Sequence, residues 1–214
     1  MRRGSGVLRL SMGLLLLAAV ATQVIDETVH NAFVPGEYFS YFTILSALVT
    51  GVVLLLAGMA ALVRGTDSTT FTTVRLGILS YMVVTGVVYA ALLRGVPTDG
   101  YAGIPWPNEA LHVWAPVFIV LDWFLAPGRP ALAWRTLWFV LVYPVAWLVF
   151  TLVRGGLTGW YPYPFLDPTL PPGWAGVAGY IVGIAVFITA VAAGGLAAGR
   201  SAAGRSAARF TPRA

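Results

Sequence analysis

Apolar stretches of near membrane-spanning length recur six times along this chain. A helix rises 1.5 Å per residue, so about 20 residues cross the roughly 30 Å core of a bilayer. The stretches cover residues 7–24, 41–63, 76–93, 111–126, 137–153 and 174–198. We therefore predict an all-α membrane protein, a bundle of six transmembrane helices within residues 1–199. Residues 200–214, rich in Ala, Gly, Ser and Arg, are predicted to be a basic, disordered cytoplasmic tail.

The low content of charged residues supports this class. Only 10% of the 214 residues are charged, whereas a soluble domain carries about 25%. A chain that is 58% hydrophobic is neither an intrinsically disordered protein nor a soluble nucleotide-binding enzyme, and the lack of cysteine excludes a disulfide-stapled secreted domain. The net charge of +5 is therefore assigned to membrane topology, and no nucleic-acid partner is expected.

The arginines predict the orientation. With six spans and the N-terminus in the cytoplasm, only Arg94 and Arg154 of the 13 basic residues lie outside. Basic residues resist translocation, so we predict a multi-pass protein of the cell membrane with both termini in the cytoplasm. The arginines assigned to the cytoplasmic side are Arg2, Arg3, Arg9, Arg64, Arg75, Arg129, Arg135, Arg200, Arg205, Arg209 and Arg213.

The N-terminal stretch has a second interpretation. Arg2 and Arg3, the apolar run and the small residues at 18–21 also fit a cleavable signal peptide. Cleavage would leave five spans and would move the arginine-rich tail to the opposite side of the membrane from its predicted place. The six-span interpretation is therefore preferred.

Polar and aromatic residues collect at the outer ends of the predicted spans. They form either a polar vestibule or an ordinary interfacial belt with solvated loops. They include Asp26, Glu27, His30, Asn31, Glu37, Tyr38, Asp99, Tyr101, Trp106, Trp160, Tyr161, Tyr163 and Asp167.

Three features within the spans suggest chemistry, although each also has a packing interpretation. Thr43, Ser46 and Thr50 share one helix face. His112 follows Asn108 and Glu109 at spacings that let either side chain orient the imidazole. Asp122 lies about 15 Å further along the fourth span, too far to touch His112, and is expected either to pair with a neutral donor or to be protonated.

Thr43 and His112 offer nucleophilic catalysis. A threonine hydroxyl becomes a useful nucleophile when a base such as imidazole accepts its proton, and Asn108 or Tyr41 could then stabilise the oxyanion. Metal catalysis is less favoured because the chain has no cysteine, no His-x-x-x-His pair and no clustered carboxylates. We predict neither a metal nor a cofactor.

These same residues carry a family resemblance. Tyr41-Phe42-Thr43, the string Asn-Glu-Ala-Leu-His ending at His112, and the string Trp-Tyr-Pro-Tyr-Pro-Phe-Leu-Asp ending at Asp167 resemble the androgen-induced and androgen-dependent six-span membrane proteins and their bacterial relatives. The resemblance implies hydrolysis of fatty acid esters of hydroxy fatty acids, with Thr43 as nucleophile and His112 as its partner. Two departures are Glu109, where animal members carry a histidine, and Asp122, where they carry a glutamate.

Three functions stay open at this point. A lipid-ester hydrolase is preferred on the resemblance, with a membrane lipid or lipid-like substrate as partner. A non-enzymatic protein that binds or transports a lipid or small molecule is the alternative, with Asp122 as a gating or proton-coupled group. An assembly subunit is the third, using Gly176, Gly179 and Gly183, although these glycines are expected to pack within the monomer. The oligomeric state is left open.

Overall fold

The computed structural model describes residues 2–63, 66–95, 101–126 and 128–208, with side chains described as far as residue 200. Among the residues used above, Arg64, Asp99, Arg209 and Arg213 lie outside these ranges, and the side chain of Arg205 is not described. The described ranges contain helices and no strand, which confirms the all-α prediction.

The described ranges contain eight α-helices, numbered in chain order. Helix α4 continues as a π-helical turn at Tyr89–Leu93, α5 and α6 are joined by a π-helical turn at Ala110–Trp114, and a short 3-10 helix at Pro164–Leu166 precedes α8. The bounds are α1 Arg2–Val29, α2 Pro35–Tyr38, α3 Phe42–Val63, α4 Thr69–Val88, α5 Pro105–Glu109, α6 Ala115–Leu125, α7 Thr136–Thr158 and α8 Trp174–Ala208.

Five helices of the described chain are long and apolar enough to cross a membrane, where six were predicted. They are α1, α3, α4 with its π turn, α7, and α8 as far as Arg200. The predicted fourth span, 111–126, falls on the π turn and α6, which together with α5 form a helical run without a break from Pro105 to Leu125. The apolar helices are consistent with an integral membrane protein.

Helices α1 and α3 form the most extensive pair, because glycines allow their backbones to approach closely. A Cβ atom on Gly13 would lie 2.9 Å from the carbonyl oxygen of Gly51, and one on Gly58 would lie 2.8 Å from that of Gly6. This pairing fixes the start of α3, and hence Thr43, relative to α1.

Helix α4 lies at the centre of the bundle and contacts α3, α6, α7 and α8. The outward faces of α7 and α8 carry large apolar side chains, for example Trp138 at 75% exposure and Val182 at 62%. Apolar surface of this kind suits contact with lipid tails. The central position of α4 places its last turns beside the segment that carries His112.

The C-terminal helix differs from prediction at two of its glycines. Gly179 and Gly183 are exposed with open space around them, so the expectation that they pack within the monomer is wrong for the described chain. Helix α8 continues to Ala208, and the disorder of the tail that follows stays a prediction. Alanine-rich sequence has a high helix propensity, which accounts for the extension.

Candidate active site

The Thr43 hydroxyl and the His112 imidazole meet at one end of the bundle, called here the Thr43 end. Thr43 is the second residue of α3, and its Oγ1 lies 3.3 Å from Nε2 of His112. Thr43 is 7% exposed and His112 is half-buried. The two residues that the sequence singled out are therefore in contact in the folded chain.

The second nitrogen of the His112 ring determines the tautomer. Nδ1 lies 3.0 Å from the backbone carbonyl oxygen of Asn108, which can only accept a hydrogen bond. The hydrogen therefore sits on Nδ1 in the neutral ring, and Nε2 keeps a free lone pair. Nε2 is the nitrogen that faces Thr43, so it can accept the hydroxyl proton.

A π-helical turn carries His112, and the sequence explains where it forms. The N–H of Ala115 donates to the carbonyl of Ala110, five residues earlier. In a regular α-helix Pro116 would donate to the carbonyl of His112, but proline has no N–H. The helix widens over this turn, and π turns of this kind occur frequently at functional sites.

The π turn at the end of α4, Tyr89–Leu93, packs against the face of the His112 imidazole ring. The Tyr89 ring stacks on the His112 ring with centroids 4.1 Å apart. The Asn108 side chain donates from Nδ2 to the Tyr89 hydroxyl over 2.7 Å. Gly86, one turn before Tyr89, lets the helices approach, since its Cβ would lie 3.0 Å from the His112 carbonyl oxygen. The orientation of His112 is thus fixed by backbone and stacking contacts.

The Tyr163 hydroxyl also lies beside Thr43, and Tyr163 was not among the predicted site residues. The Thr43 N–H points to the Tyr163 hydroxyl over 3.4 Å, and Oγ1 lies 3.5 Å from the same oxygen. Burial raises the pKa of Tyr163 to about 12, so its phenol is neutral and can donate at neutral pH. The sequence signal was its place in the Trp160–Asp167 string, where nothing distinguished it from its neighbours.

An apolar cavity of about 110 Å³ adjoins Thr43. Phe42, Thr43 and Tyr163 line it at the site, and α4, α7 and α8 provide the other walls. Val145 and Ala185 on its wall are exposed, so the cavity reaches the outer surface of the bundle between α7 and α8. The cavity is suited to a hydrocarbon chain whose polar end lies at Thr43. Its deeper lining residues include Val84, Thr85, Leu141, Ile181, Ile184 and Ile188.

The predicted supporting residues occupy other positions. The Asn108 side chain binds Tyr89, and only the Asn108 backbone reaches His112. Glu109 faces Arg94 at 3.5 Å, and both are partly exposed, so Glu109 does not orient the ring. The ring of Tyr41 packs edge-on against Trp160 and Tyr163. The predicted i,i+3 and i,i+4 contacts assume regular α-helical spacing. The π turn does not follow that spacing, which explains why neither the Glu109 side chain nor the Asn108 amide orients the His112 ring.

The remaining residues of the polar stripe on α3 face the interior of the bundle. The Ser46 hydroxyl lies 3.1 Å from the Tyr143 hydroxyl, and Thr50 is fully buried with no hydrogen-bond partner for Oγ1 among the described residues. The shared face of Thr43, Ser46 and Thr50 is therefore largely a packing face, with Thr43 at its end next to His112.

Asp122 lies at the opposite end of the bundle, called here the Asp122 end. Its carboxylate receives the Arg9 Nε at 2.8 Å and an Arg75 nitrogen at 2.6 Å. The expectation of a neutral donor or a protonated carboxyl is wrong, because long arginine side chains from α1 and α4 reach it. Asp122 is not part of the Thr43–His112 site.

In comparisons with known proteins, no family model, no curated protein and no solved structure matches the chain. Within the described ranges no group of three or more His, Asp or Glu side chains is arranged to hold a metal ion. The interpretation of the site therefore depends on its own geometry, and membership of the resembled family stays a prediction.

Proposed function

We propose that this protein is a membrane-embedded hydrolase of fatty-acyl esters, with Thr43 as nucleophile and His112 as general base. The observation that carries the proposal is the Thr43 Oγ1–His112 Nε2 contact of 3.3 Å, combined with the Nδ1 contact to the Asn108 carbonyl. A hydroxyl, a base and a group that orients the base are the parts that nucleophilic catalysis requires.

The reaction proceeds in two halves. As Thr43 Oγ1 bonds to the ester carbonyl carbon, its proton passes to His112 Nε2, and the resulting oxyanion accepts a hydrogen bond from the Tyr163 hydroxyl. The C–O bond to the alcohol then breaks, and His112 returns the proton to the leaving alkoxide. Water attacks the acyl-threonine by the same proton route, which releases the fatty acid and restores Thr43.

The cavity supports a long acyl chain as the substrate's apolar part. Its walls are almost wholly hydrocarbon and it begins at Thr43, so a chain inside it brings its carbonyl carbon to the nucleophile. Its opening between α7 and α8 suits entry from the lipid phase, where such esters dissolve.

The proposed topology has six spans and both termini in the cytoplasm of a cell-membrane protein. The continuous helical run from Pro105 to Leu125 serves as the fourth span. The distribution of arginine in the sequence supports this orientation. The Thr43 end then lies at the outer face and the Asp122 end at the cytoplasmic face.

Hydrolysis of a fluorogenic long-chain acyl ester by the purified protein tests the proposal. Thr43→Ala should lose at least about 10²-fold in kcat, since the nucleophile is removed. Thr50→Ala is the matched control, because it removes a buried threonine hydroxyl from the same helix face away from His112. Full activity in folded Thr43→Ala would contradict the proposal.

A second candidate function, non-enzymatic binding or transport of a lipid, is favoured by the same cavity. It predicts that the wild-type protein binds a fluorescent fatty acid with no ester turnover, and that Thr43→Ala binds equally well. Turnover that depends on Thr43 separates the two functions.

A further inference from the structure

A buried network of ion pairs occupies the Asp122 end of the bundle. Arg75 bridges the two carboxylates, at 2.5 Å from Asp67 and 2.6 Å from Asp122. Arg2 adds a second cation to Asp67 at 2.7 Å, and Arg9 adds one to Asp122 at 2.8 Å. The side chains of both aspartates are less than one tenth exposed. The network joins α1, the start of α4 and the end of α6.

This network carries excess positive charge. Arg129 lies in the loop after α6 with its guanidinium carbon 4.3 Å from the centre of the Trp123 ring. Burial and the nearby charge of Arg75 lower the pKa of Arg129 to about 10, so it is still a cation at neutral pH. Four guanidinium groups therefore face two carboxylates, Asp67 and Asp122.

Several guanidinium nitrogens at this site lack an acceptor. Arg9 is fully buried, and its Nε binds Asp122, but its two terminal nitrogens have no hydrogen-bond partner in the part of the chain that the structure describes. The same holds for Nε and one terminal nitrogen of Arg129. Buried donors without acceptors cost free energy, and charged ones cost more. An anion with several oxygens would satisfy these donors and neutralise the excess charge.

The location favours a phosphate group from a lipid. Arg2 lies in the first turn of α1, Asp122 in the last turn of α6, and Arg129 in the following loop, so the network lies where apolar helices end and headgroups begin. The void beside Arg75 and Asp122 is only about 10 Å³, room for a single water. Arg9 is fully buried, so a phosphate reaches its free nitrogens only when the side chains around them move apart. Guanidinium groups bind phosphate oxygens in pairs of hydrogen bonds.

We propose that Arg9 and Arg129 bind the phosphate of an anionic membrane lipid at the Asp122 end. The site is independent of the Thr43–His112 site. The bound headgroup joins α1 to the loop after α6, so it stabilises the fold.

Thermal unfolding of the full-length protein in detergent tests this proposal. Phosphatidylglycerol at about ten times its Kd should raise the Tm by about 3–5 °C, whereas phosphatidylcholine with the same acyl chains should raise it by less than 1 °C. Equal effects of the two lipids would overturn the proposal. A phosphatidylglycerol effect that inorganic phosphate alone reproduces would overturn the assignment to a lipid.

Arg129→Gln locates the site, because this arginine has no ion pair to break within the described chain. The variant should weaken phosphatidylglycerol binding at least fivefold. Arg135→Gln is the matched control, an exposed arginine at the same end, and should bind like wild type. Wild-type binding by Arg129→Gln would overturn the proposal, and the wild-type comparison of the two lipids stands even if Arg129→Gln does not fold.

Discussion

The Thr43 hydroxyl oxygen lies 3.3 Å from Nε2 of His112, although 69 residues separate the two in the chain. Neither α3, which carries Thr43, nor the π turn that carries His112 creates this contact by itself. Close glycine packing of α1 on α3 positions Thr43, while Pro116 and the π turn rotate His112 toward it. Hydrogen bonds of this kind commonly shorten when substrate binds, so the distance is compatible with proton transfer.

Replacement of His112 by alanine should slow the chemical step with little effect on substrate binding. General base catalysis contributes about 10²–10⁴-fold, so kcat should fall by that factor while KM stays within about threefold. Steady-state hydrolysis of an acyl ester measures both. His30→Ala is the control, because His30 is the only other histidine and contacts Asp26 and Tyr101 away from Thr43. Equal losses in the two variants would show that His112 has no special role.

Tyr163→Phe should lower kcat by about 10–10³-fold, because it removes one oxyanion donor and keeps the ring. The pKa of about 12 keeps the phenol protonated, so the ratio of wild-type to variant rates should be constant up to about pH 10. Above that pH the ratio should fall as the phenol ionises. Tyr41→Phe is the control, since Tyr41 packs on Tyr163 through its ring. A ratio near one at neutral pH would remove Tyr163 from the mechanism.

Ala185→Phe should shorten the acyl chain that the enzyme accepts. Ala185 lines the cavity on its exposed side, so a larger side chain fills the space without overpacking the core. We expect kcat/KM for long-chain esters to fall about 10–200-fold and that for short-chain esters to change less than threefold. Ala190→Phe, exposed on the same helix away from the cavity, should leave both values unchanged. An unchanged chain-length profile in Ala185→Phe would mean that the chain lies elsewhere.

Asp122→Asn should destabilise the protein strongly. The change leaves Arg9 and Arg75 without their shared carboxylate, and breaking a buried pair in this way costs about 3–5 kcal/mol. Thermal unfolding measures the loss. Glu37→Gln, a carboxylate at the Thr43 end for which no ion pair is found within the described ranges, should change the Tm by less than 1 °C. A wild-type Tm in Asp122→Asn would contradict the structural role assigned to the network.

The sequence predicted the class of fold, and it singled out two residues, Thr43 and His112, that contact each other in the structure. Apolar length predicted the helices, and the shared depth of Thr43 and His112 predicted that packing could bring them together. The contact itself depends on the pairing of α3, α4 and α6, which helical periodicity does not specify. Tyr163 lies in an irregular segment, where no periodicity relates its position to that of Thr43.

The sequence was least informative about Asp122 and the orientation of His112. Asp122 pairs with Arg9 and Arg75. In the sequence these arginines served only to predict the orientation in the membrane, because a count of charges does not show which side chains face inward. The i,i+3 and i,i+4 rules assume a regular α-helix, and Pro116 removes that regularity at His112. The fourth predicted span shows the same effect, since the boundary between the π turn and α6 divides it.

Covalent labelling tests the central claim most directly. The purified protein is treated with a fluorophosphonate probe, and the modified residue is located by mass spectrometry of peptides. We predict a single adduct on Thr43, absent in Thr43→Ala and at least about 10²-fold slower to form in His112→Ala. Absence of labelling on Thr43 in folded wild-type protein, or equal labelling in His112→Ala, would contradict the account.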